Sequence, residues 1–152
     1  VQPPEQRRCD GAEDLWLACR EIWLLPLSRR PDDIHRRTNV IEDWRELIEG
    51  MNGGVRALRH GAPDIMKSFS DMAKAAHGGD ALDGKTKELI ALAISVATRC
   101  SPCIAYHAEG AAKKGANREE ILETMATAIY MGAGPSVMYA AHALEAFDQL
   151  AA

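Results

Sequence analysis

Nine consecutive residues, Leu89 to Ala97, read LIALAISVA, and Ser95 is the only polar side chain among them. A helix that is apolar nearly all round is buried on most of its sides, so this run predicts a central rod that the rest of the chain must wrap. Asp83 is its expected N-cap and Thr98 its approximate end. Further helices surround it. Ile41, Trp44, Leu47, Ile48 and Met51 recur at helical spacing, and Asn52-Gly53-Gly54 is expected to loosen or end that run. Pro63 opens a second helix with Ile65, Met66, Phe69, Met72 and Ala73, stopped by Gly78-Gly79. Ser101-Pro102 opens a helix that ends at Gly115. Asn117 and Glu120 form a capping box for the next, which Gly132 and Gly134 close. Pro135 starts a last helix reaching about Leu150. No stretch rich in Val, Ile and Thr alternates as a strand would. The expectation is an all-α bundle of about six helices.

Composition narrows the function classes. The 152 residues are 47% hydrophobic, enough for one domain with a core of its own and too apolar for a disordered chain. Aromatic residues are only 5%, so that core is expected to be aliphatic and rich in Ala and Met. The net charge of −4 has the wrong sign for phosphate neutralisation, so no nucleic-acid partner is expected. No apolar run approaches the roughly 20 residues that cross a bilayer, so no membrane partner is expected either. Residues 1–40 differ from the rest: they hold four of the seven prolines and the pairs Arg7-Arg8, Arg29-Arg30 and Arg36-Arg37. They are expected to form an N-terminal extension, with residues 41–152 as the domain. The apolar patch from Leu15 to Leu27 suits a short amphipathic helix ending before Pro26. Arg20 and Glu21 interrupt it and no clean cleavage site follows, which sets it apart from a signal peptide.

Chemistry concentrates in Cys100-Ser101-Pro102-Cys103, followed four residues later by His107. At about 100° per helical residue, Cys103 stands about 60° from Cys100, and His107 about 20° from Cys100. All three therefore share one face. Thiols at i, i+3 near a helix start can approach closely enough for a disulfide, and the unpaired N–H groups there favour the thiolate. His107, one turn further in, can take or return a proton. This arrangement suits thiol–disulfide exchange. Glu88 lies one turn inside the start of the apolar rod, where burial is expected to raise its pKa and suit it to proton transfer. Other readings of the pair are weaker. Two inert core thiols would not need Pro102 between them at a helix start. Zinc would need a fourth ligand from Cys9, Cys19 or a distant histidine, with no second paired motif to supply it. A c-type haem needs His directly after the second Cys, where Ile104 stands. No metal or cofactor is expected.

Glu88, Cys100, Cys103 and His107 spell E-x11-C-x-x-C-x3-H, within LDGKTKELIALAISVATRCSPCIAYHAEGAAKKGANREEILE. This pattern resembles the alkylhydroperoxidase D-like branch of the carboxymuconolactone decarboxylase superfamily, over roughly residues 45–150. The resemblance implies a helical bundle assembling as a homotrimer or homohexamer. It implies that Cys103 attacks a small hydroperoxide and is oxidised to a sulfenic acid, that Cys100 resolves it as a disulfide, and that Glu88 and His107 form a proton relay. A dithiol donor, in the best-known members a lipoyl group on a carrier protein, would then reduce the disulfide. The decarboxylase members generally lack the C-x-x-C. One departure stands out: the larger alkylhydroperoxidase D proteins carry a histidine directly before the second cysteine, where this chain has Pro102. That leaves the dithiol intact and removes one proton carrier, so the resemblance carries over disulfide reduction more fully than peroxide turnover.

The remaining residues have plainer readings. His142, among Tyr139, Ala140, Ala141, Ala143 and Leu144, is expected in a core or interface. Tyr106 suits either pocket lining or packing. Met125, Met131 and Met138 read as core or subunit contact, and Gly132-Ala133-Gly134 as a turn, not a phosphate loop. Several helices are apolar on more than one face, which a small bundle cannot bury alone, so a closed cyclic oligomer is expected. With no targeting segment evident, a cytoplasmic setting suits a working C-x-x-C. Two alternatives stand beside the enzyme: a redox-responsive oligomer without turnover, and a lactone-acid decarboxylase that would survive alkylation of both thiols.

Overall fold

Asp43 accepts hydrogen bonds from the backbone N–H groups of Arg45 and Glu46 and starts helix α1 (Trp44–Gly61) in the computed structural model, which describes residues 41–152. The N-terminal extension, with the Leu15–Leu27 patch, Cys9 and Cys19, lies outside the described residues. Contrary to the sequence expectation, α1 runs straight through Asn52-Gly53-Gly54. A helical glycine costs only about 1 kcal/mol against alanine, and the following Val55-Arg56-Ala57-Leu58-Arg59 turn sustains the helix. The effective breaker is Pro63, which disfavours helical geometry at the residue before it. Ala62 accordingly sits at φ −139°, ψ 64°, and Pro63 begins helix α2 (Pro63–His77). Helix α2 buries no residue and packs principally on α1.

Helix α3 (Gly84–Thr98) is capped by Asp83, whose side chain accepts the Thr86 N–H at 2.7 Å. Its apolar run is buried on one face only, through Leu92 and Val96, while Ile90 and Ile94 stay about half exposed in the single chain. The expectation of burial on most sides is corrected to that extent: two helices pack against α3, and they do not surround it. Helix α4 (Ser101–Lys113) follows after two residues, and Gly115, at φ 79°, ends it as expected.

Helix α5 (Arg118–Leu150) begins with the expected capping box: Asn117 Oδ1 accepts from Glu120 N–H and Glu120 Oε2 from Asn117 N–H, both at 2.9 Å. The two last helices of the sequence reading are two arms of this element, joined at Ala133 (φ 54°, ψ −152°), where the chain kinks before Pro135. Gly132 is required there, because a Cβ at that position would land on the Ser136 hydroxyl.

The core lies between α3, α4 and α5, with Trp44 of α1 closing one end. It is built from Leu92, Val96, Ile104, Ile121 and a series of alanines whose small side chains let the helices approach closely. Of Met125, Met131 and Met138, only Met125 joins it; the other two are exposed in the single chain. The first turn of α1 is clamped to the end of α5. Trp44 Nε1 donates to Glu145 Oε2 at 3.1 Å, Gln149 Oε1 accepts the Trp44 N–H at 3.2 Å, and Arg45 donates to the Gln149 carbonyl. His142 is held against Trp44 and Tyr139, with ring centroids 5.7 and 5.5 Å away. No helix among the described residues is long and apolar enough to cross a membrane.

Candidate active site

Arg99 takes the left-handed conformation (φ 59°, ψ 43°), and its N–H closes the last turn of α3 onto the carbonyls of Ser95 and Val96. The Cys100 N–H bonds the Ser95 carbonyl at 3.1 Å. This is a left-handed C-cap made without glycine, and it turns α4 back along α3 through a connection of only two residues. Positions equally far from the turn then face each other. Glu88 and Gly110 stand eleven residues either side of Arg99, and a Cβ at Gly110 would come within 2.8 Å of the Glu88 carboxylate. Glycine at 110 is what lets the buried carboxylate lie on α4.

Cys100 is the N-cap of α4, and its sulfur accepts the Cys103 N–H at 3.3 Å. Pro102 occupies the first turn, where a missing N–H costs nothing. Cys100 and Cys103 are joined by a disulfide, with Cα atoms 5.2 Å apart. Both are partly exposed. From Cys103 onward, His107, Gly110 and Lys114 follow at i+4, i+7 and i+11, one stripe along α4 facing α3.

Glu88 meets that stripe with both oxygens. Oε2 lies 2.8 Å from His107 Nδ1, and Oε1 accepts from Lys114 Nζ at 2.6 Å. Glu88 is only 8% exposed. Burial pushes its carboxyl up, but the hydrogen bonds from Lys114 and His107 and their charges outweigh it and hold the group below its ordinary value. The expected rise in the Glu88 pKa is therefore overturned, because the sequence reading counted burial and not Lys114. An ionised carboxylate only accepts hydrogen bonds, so His107 donates from Nδ1, and in the neutral ring Nε2 is the acceptor.

Three of the four sequence-predicted residues, Cys100, Cys103 and His107, thus share the first two turns of α4, and Glu88 reaches His107 from α3. Lys114 and Gly110 were missed. Their signal was present as the heptad-like spacing from Cys103, legible once α4 is known to fold back on α3. Tyr106, beside His107, donates its hydroxyl to Asn52 Oδ1 at 2.8 Å and so ties α4 to α1.

A family model described as the carboxymuconolactone decarboxylase family matches residues 63–146. A solved structure of a carboxymuconolactone decarboxylase family protein from Legionella pneumophila is 45% identical, with a TM-score of 0.70, and the match covers 72% of this chain and 97% of that one. A second, from Thermotoga maritima, is described as a member of the same family with a suggested involvement in the antioxidative response. It is 28% identical with a TM-score of 0.62, covering 69% and 89% of the two chains. An uncharacterised protein of Cupriavidus necator is 37% identical over 108 residues, 71% of this chain and 96% of its own length.

Proposed function

The chain belongs to the carboxymuconolactone decarboxylase family, and we propose that within it this protein is a thiol-dependent oxidoreductase that reduces hydroperoxides or disulfides through Cys100 and Cys103. The observation that carries this reading is the pairing of two bondable sulfurs at the tip of α4 with His107 one turn away, its ring oriented by an ionised Glu88. The suggested antioxidative involvement of the Thermotoga maritima neighbour adds to it.

In the reduced protein the Cys103 thiol gives its proton to His107 Nε2. The thiolate attacks the terminal oxygen of a hydroperoxide; an S–O bond forms, the O–O bond breaks, and the alkoxide leaves with the proton from His107 as an alcohol. Cys100 then attacks the Cys103 sulfenic acid, forming the disulfide and releasing water. A dithiol, free or as a lipoyl group on a carrier protein, returns two electrons and two protons and leaves as its own disulfide. For a disulfide substrate the oxygen steps are replaced by a mixed disulfide that the second cysteine resolves. The working unit is a homotrimer or homohexamer, and a reducing cytoplasm is the setting in which such a pair cycles.

The test is peroxide consumption with reduced lipoamide by the wild type, Cys103→Ser and Cys100→Ser. The wild type is expected to turn over many times, Cys103→Ser to fall to background, and Cys100→Ser to stop after one equivalent. Full activity in Cys103→Ser would overturn the reading. One equivalent consumed by the wild type without turnover would make the protein a redox-responsive oligomer, and lactone-acid decarboxylation surviving alkylation of both thiols would make it a decarboxylase.

A further inference from the structure

We propose that Lys114 is a positioning residue of this site: it holds Oε1 of Glu88 so that Oε2 stays with His107 Nδ1–H, and it thereby makes His107 Nε2, not the Glu88 carboxyl, the group that carries the sulfur proton. The proposal rests on the redox reading of Cys100 and Cys103 and deepens it.

The geometry is that of a built pair. Lys114 crosses from the end of α4 to a carboxylate 26 residues earlier, on α3, and meets it at 2.6 Å. Its stem runs over Gly84, where a Cβ would come within 3.2 Å of Lys114 Cδ, and the carboxylate it meets lies over Gly110. Two glycines thus clear the space that the lysine and the carboxylate occupy. Hydrogen bonds to charged groups are roughly twice as strong as neutral ones, and Glu88 has one on each oxygen. To act as a proton carrier Glu88 would have to give up one of them. With both kept, the carboxylate is an anchor, and the mobile proton belongs to the imidazole alone.

The other lysines of α3 and α4 are engaged elsewhere. On α3, Lys85 pairs with Glu120 of α5 at 2.6 Å, and Lys87 donates to the carbonyls of His77 and Gly79. On α4, Lys113 pairs with Glu109 at 2.8 Å. From α1 the neighbour is the neutral Asn52, bonded to Tyr106. Lys114 is therefore the cation that offsets Glu88 at His107. Its removal leaves the imidazole beside an uncompensated carboxylate, which favours the charged ring.

The test follows His107 by NMR titration in the disulfide form of the full chain, where no thiol titrates beside it. The wild-type ring is expected as the Nδ1–H tautomer. Lys114→Met is expected to move the His107 midpoint to higher pH, and Lys114→Arg to restore it. In peroxide assays the acid limb of the pH–rate profile should move the same way, to higher pH, so that Lys114→Met loses rate on that limb. Lys114→Gln serves as a second neutral variant, and the side chain's 38% exposure leaves room for either. A His107 midpoint unmoved in both neutral variants, or an Nε2–H tautomer in the wild type, overturns the proposal. A wild type that turns over neither a hydroperoxide nor a disulfide sinks the redox reading instead, while the titration still reports on Lys114.

Discussion

At the scale of single residues, the site is governed by how Glu88 is partnered. An unpaired buried carboxylate costs several kcal/mol, and here two donors offset that cost, so the folded carboxyl stays below its ordinary value of 4.5. The sign for stability follows. The contribution of the ionised group is complete above the unfolded value and is lost as pH falls through the folded value. The urea midpoint of the wild type is expected to drop more steeply than that of Glu88→Gln between about pH 5 and pH 3, and parallel slopes would refute the assignment. Glu88, Cys100, Cys103 and His107 were legible in the sequence because their spacing encodes one helix face and one neighbouring rod. Lys114 and Gly110 were not, because a lysine at a helix end and a glycine inside one have ordinary explanations until the opposing helix supplies a carboxylate. The rise expected for Glu88 failed for the same reason: burial can be read from an apolar run, and a cross-helix cation cannot.

At the scale of elements, caps and prolines were dependable and glycines were mixed: Gly78 and Gly115 end helices as expected, and the pair inside α1 does not. Asp83, Pro63 and the Asn117–Glu120 box start helices where the sequence places them, since each satisfies or removes an orphan N–H group. Gly53-Gly54 only weakens a helix that its neighbours sustain. The elbow of α5 is the reverse case: Gly132 and Gly134 announce a break, but the residue that bends is Ala133. A side chain in such a conformation costs of order 1–3 kcal/mol. Ala133→Gly is therefore expected to stabilise the protein by about 1 kcal/mol after the added unfolded-state entropy of glycine is deducted, raising the thermal midpoint by a few degrees. A lower midpoint would show that the elbow is not strained.

At the scale of the whole molecule, apolar side chains are left uncovered in the single chain. Ile90 and Ile94 on α3 and Tyr130, Met131 and Met138 on α5 are all 45% exposed or more. The sequence showed a surplus of apolar faces but not which residues carry it, because that depends on how far α4 and α5 wrap the central rod. Sedimentation velocity of the wild type is expected to give a trimer or hexamer, and Ile94→Glu a smaller species; a wild-type monomer at micromolar concentration would contradict the assembly. The candidate site, by contrast, is confined to one hairpin. Glu88 meets Lys114 across 26 residues, whereas Trp44 meets Glu145 across 101. Loop closure costs more entropy as the loop lengthens, so gathering the ionic and sulfur groups within the hairpin costs less than fastening α1 to the far end of α5. A nascent chain emerging past Lys114 already contains every reactive group, and what comes afterwards supplies the helix that packs on both rods of the hairpin.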